Sequence, residues 1–195
     1  MGIEDLIFMF DDSMERRVKA EIRVEFLSKD VLDLRESVQS HRNDIMSGKA
    51  KIKALDEQGS AKITKKIDEL EKQYQAHKAQ RAEIEERLKQ NYRTGKKAAS
   101  ILTNEELFSI KEVLVNKYAE IKIAKYESKN VIMLLEETKA DLANLQRQKA
   151  DLDNALEERK HQLEIALKDL EGIKNEMYWQ KTELKDKVSD LVIQV

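Results

Sequence analysis

Several small groups of residues have the chemistry to act on something. Arg93, Lys96 and Lys97, with Tyr92 beside them, sit within QNYRTGKKAAS near the middle of the chain. Cations neutralise phosphates and tyrosine stacks on bases. Three basic residues are a weak nucleic-acid signal, however, and a solvated loop beside a helix end is the preferred explanation. The GKK in this stretch is not a phosphate-binding loop, which requires an earlier glycine at fixed spacing and a preceding strand. His41 and His161 supply two imidazoles that an antiparallel chain would bring within about a turn of each other, but a zinc site needs further ligands. Lys149 and Arg159 interrupt an otherwise apolar repeat, where charged residues set register rather than perform catalysis. No nucleophile–base pair stands out, so the expectation is a non-enzyme with no cofactor and no metal.

The elements that would position these residues are long helices. Charged residues make up 38% of the chain and aromatics 5%, and there is no proline. Such a composition leaves little for a thick core and removes the strongest helix breaker. From Leu107 every seventh residue is Leu114, Ile121, Ser128, Leu135, Leu142, Lys149, Leu156, Leu163, Leu170, Met177, Leu184 and Leu191, and all but Ser128 and Lys149 are apolar. A heptad repeat held this long implies supercoiling against a partner helix. The first half has a matching seam from Val24 to Leu88, with a flaw. Leu55, Gly59, Ile63 and Ile67 follow one another in steps of four without the intervening three. The extra residue, together with Gly48 and Gly59, marks residues 47 to 60 as a candidate hinge or helix break.

Between the seams, Gly95 suits the left-handed residue after a helix end. Thr103 reads as an N-cap, with Glu106 completing a capping box and Leu102 and Leu107 a hydrophobic staple. The expected fold is therefore all-α: a long antiparallel coiled-coil hairpin. Its parts are an apolar N-terminal segment 1–12, a first arm 13–94, a turn 95–103 and a second arm 104–195. Each arm would be about 120 Å long. Facing residues in this arrangement number about 197 in sum, which places Lys149 across from Gly48. It also places Ile3, Leu6, Ile7, Phe8, Met9 and Phe10 near Leu191, Val192, Ile193 and Val195.

Apolar residues off the seam are the candidate protein-interaction sites. On the second arm these are Phe108, Val115, Ile132, Met133 and Leu134, with Val113, Tyr118, Ile123 and Tyr126. Near the chain ends they are Phe8, Phe10 and Trp179, with Tyr178 beside the tryptophan. A two-helix hairpin would leave them wet, and extended apolar surface marks an interaction site. These features predict a non-catalytic scaffold or adaptor whose partner is a protein or a second copy. A nucleic-acid factor working through the basic tip is a rival reading. So is another: the plan of a short apolar segment, IEDLIFMFDD, before a long hairpin resembles the phage-shock and ESCRT-III-like group, which would imply a membrane-associated polymer. Glu4, Asp5, Asp11 and Asp12 would be repelled by an anionic membrane, so no membrane partner is expected. The absence of cysteine, of a long apolar run and of a secretory leader leads to a cytoplasmic expectation. The net charge of −2 carries no overall nucleic-acid signal.

Overall fold

A computed structural model describes residues 2–194 as an all-α antiparallel coiled-coil hairpin. Helix α1 covers Ile3–Ala54, α2 covers Ala61–Arg93 and α3 covers Lys97–Gln194, and a π-helical segment, Leu55–Ser60, joins α1 to α2. The candidate hinge or break at 47–60 is where α-helical bonding stops, at Ala54, and resumes, at Ala61, but the helical path continues through the segment. The single extra residue in the seam is taken up by one wide turn, in which the Ala61 N–H reaches back to the Asp56 carbonyl. A bulge of this type keeps the backbone hydrogen-bonded while returning the apolar face to its partner.

The chain forms two compact units. The terminal unit pairs Met1–Ile45 with Asn144–Val195, and the turn-proximal unit is Met46–Ala143. In the terminal unit the seam buries Leu6, Ser13, Leu27, Val31 and Ile45 of α1, and Leu156, Ala166, Leu170, Met177 and Gln180 of α3. The apolar N-terminus is thus part of α1, in phase with the rest, and not a separate segment. Ion pairs join the helices at Arg16 Nη2–Glu176 Oε2, 2.9 Å, and Arg159 Nε–Asp30 Oδ2, 2.8 Å. Leu191, Val192 and Ile193 are exposed rather than covered by the N-terminus, and Val195 lies outside the described residues.

In the turn-proximal unit, Leu70, Ile121 and Ala124 form a buried cluster against Ile67 and Tyr74. Gly48 meets Leu142, not Lys149: a β-carbon at Gly48 would lie 3.3 Å from Leu142 Cδ1. Gly59 likewise meets Val131, at 2.9 Å from Cγ1. Both partners stand one heptad nearer the turn than the symmetric expectation, a shift that leaves seam facing seam. Lys149 pairs along its own helix with Asp153 at 2.6 Å.

The shift originates at the turn, which is shorter than 95–103. The Lys96 N–H bonds the Asn91 carbonyl and the Gly95 N–H the Tyr92 carbonyl, with Gly95 at φ 69°. This closure needs a left-handed residue that only glycine supplies without strain. Helix α3 begins directly afterwards at Lys97, so Thr103 lies inside it and caps nothing. Its buried hydroxyl donates to the Ala99 carbonyl and accepts from Asn91 Nδ2. Glu106 reaches Arg87 across the turn at 2.7 Å instead of folding back on Thr103, and Leu102 is exposed.

Candidate protein-interaction faces

Helix α3 of the turn-proximal unit has two apolar faces. Its seam face is covered by α2 and the end of α1. Its outer face carries Phe108, 73% exposed, Val115, 68%, Tyr126, 67%, and Met133, 50%. Ile132 and Leu134 flank the stripe and are also exposed. At 131–135 the run VIMLL makes the helix apolar nearly all round; Val131 and Leu135 turn to the seam, and the middle three remain in solvent. Tyr118 is fixed at the border of the face. Its ring lies 6.4 Å from that of Tyr74 and accepts Lys122 Nζ at 5.0 Å from its centre. An open groove beside it is lined by Tyr74, Arg81, Lys111, Leu114 and Val115.

In the terminal unit Phe8 is 75% exposed and Phe10 half-buried. Trp179 is exposed and packs edge-on against Tyr178, with ring centres 6.3 Å apart. A further apolar row escaped the sequence reading: Met14, Val18, Ile22 and Phe26, all exposed on α1. The signal was present as four consecutive steps of four from Phe10. It was hidden because the seam residues interleave with it. Ion pairs Arg17–Glu21 and Lys19–Glu15 border this row.

The basic residues Arg93, Lys96 and Lys97 are exposed around the turn. Tyr92 is exposed, and its hydroxyl accepts from Asn104 Nδ2 at 3.0 Å. His41 Nδ1 donates to the Ser37 carbonyl on its own helix, and His161 is exposed. Among the described residues no cluster of three or more His, Asp or Glu is placed to hold a metal, and no helix is long and apolar enough to cross a membrane.

No family model matches the chain, and no curated protein does. Among solved structures, a coiled-coil segment of Pyrococcus yayanosii Smc is similar, at 17% identity and a TM-score of 0.39, over 97% of this chain and 94% of that one.

Proposed function

We propose that the chain is a non-catalytic coiled-coil scaffold or adaptor, which assembles with a second copy or a protein partner through apolar faces outside its seam. The observation that carries this reading is the outer stripe of α3, where Phe108, Val115, Tyr126 and Met133 are each at least half exposed. Burial of one such side chain is worth about 1.5–3 kcal/mol. Several together offset the entropy of association. A structural role is further supported by the form of the concave spaces, which are open grooves along the helix pair with mixed charged and apolar walls.

Light scattering across a concentration series tests the proposal. Met133→Lys with Leu134→Lys, on the solvent face of α3, should lower the assembled mass while leaving helical circular dichroism unchanged. An assembly that forms equally well with both lysines in place does not use this face.

A further inference from the structure

Six exposed small or apolar residues follow one line along the outer face of α3: Ile101, Phe108, Val115, Ala119, Tyr126 and Met133. The steps between them are seven, seven, four, seven and seven. The series is the same from either end. On a helix of 3.6 residues per turn these steps keep all six within about 20° of one line. Inverting the helix end for end about the level of Lys117 lays Ile101 on Met133, Phe108 on Tyr126 and Val115 on Ala119.

Three pairs of charges beside this line obey the same inversion with opposite sign. Lys97 falls on Glu137, Glu105 on Lys129, and Glu112 on Lys122. All are exposed, and among the described residues none has an ion-pair partner in the chain. Nor does any of them have an opposite charge three or four residues away on its own helix, where such partners normally stand.

An antiparallel contact between identical helices pairs residues by this kind of inversion, and each contact then occurs twice. The geometry points to a second copy of this chain as the occupant of the face, docked α3 on α3, antiparallel, about a two-fold axis level with Lys117. The inference rests on the assembly reading above and names its partner. From Ile101 to Met133 the contact would run about 48 Å along the helix. At a helix width of about 10 Å it would cover on the order of 1,000 Å² counting both copies, the size at which specific interfaces begin.

The chain has no cysteine, so single cysteines report the pairing directly. Full-length Phe108→Cys and Tyr126→Cys are oxidised separately and as an equimolar mixture. The mixture should cross-link residue 108 to 126 between copies. Each variant alone should cross-link about tenfold less, because identical positions would lie about 27 Å apart, beyond disulfide reach. Independently, Glu112→Lys should raise the dissociation constant of the assembly about tenfold, through two contacts turned from attraction to repulsion. Adding Lys122→Glu to the same chain should restore it. A protein that assembles but shows neither the preferred cross-link nor the charge-swap rescue overturns this geometry and leaves the assembly reading intact. An unmodified chain that stays monomeric at high concentration overturns the second copy as occupant and leaves a different protein partner. Assembly that ignores both Met133→Lys and Leu134→Lys overturns the assembly face itself.

Discussion

In the terminal unit the exposed apolar row lies on α1, and in the turn-proximal unit it lies on α3. The two rows also run differently. Met14, Val18, Ile22 and Phe26 follow a line of steps of four, which is inclined to the helix axis by roughly 26° and winds around the surface. Phe108, Val115, Ala119, Tyr126 and Met133 mix steps of seven and four, which hold one line parallel to the axis. A winding ridge suits a helix crossing at an angle of about 50°. A straight stripe suits a helix lying alongside. Two units built on one seam therefore offer two kinds of surface, and the difference comes from residues that the seam does not constrain.

The units also differ in where their glycines lie. The turn-proximal unit puts Gly48 and Gly59 on the seam, and the terminal unit has Gly172 with nothing within 4 Å of its would-be β-carbon. Substitutions sharpen this contrast. The largest effect is expected at the buried cluster: Ile121→Ala should cost about 2–5 kcal/mol of unfolding free energy by urea denaturation, for lost burial and the cavity left behind. Leu27→Ala, its counterpart in the terminal unit, should cost less, since Leu27 belongs to no such cluster; an equal cost would mean that the two seams are energetically alike.

Next come the glycines. A methyl at Gly59 would press on the branched Val131, which is stiff in a helix, so Gly59→Ala should destabilise by about 1–3 kcal/mol despite the better helix propensity of alanine. Gly172→Ala has free space and should stabilise by about 1 kcal/mol. The same sign at both positions would break the comparison.

A smaller effect belongs to the ion pair between Arg159 and Asp30. A double-mutant cycle with alanine at both positions should return a coupling of about 0.2–1 kcal/mol, as for other exposed pairs, decreasing with salt.

The smallest effect is on acid sensitivity. A hydrogen bond from Arg81, with charge attraction, lowers the Glu85 pKa below its ordinary 4.5, and Lys19 does the same for Glu15. A carboxylate lowered in the folded chain contributes stability above its ordinary value and loses it as the pH falls through the lowered one. Thermal melts followed down from neutral pH should therefore show a slightly shallower acid loss for Glu85→Gln in the turn-proximal unit and for Glu15→Gln in the terminal unit. An unchanged acid limb in both would show that these surface pairs contribute nothing measurable.

The amino-acid sequence alone determined the helices, both seams, the single extra residue between Leu55 and Ile67, and a reversal that begins at Gly95. These rest on local rules: periodicity places a side chain on a face, and only glycine takes a positive φ without strain. The off-seam residues Phe108, Val115, Met133 and Trp179 were legible by the same rule, as apolar side chains that no seam position accounts for. The tertiary structure decided the register. A heptad repeat is unchanged by a shift of seven, so the seam that faces Gly48 with Leu142 is as regular as one that faces it with Lys149. The tight closure at Gly95 chose between them, and it placed Thr103 within α3, where its hydroxyl bonds Asn91 and Ala99 rather than starting a helix. It also resolved the extra residue as a bulge rather than a break, because a buried seam on both sides favours keeping the backbone bonded over opening it to water.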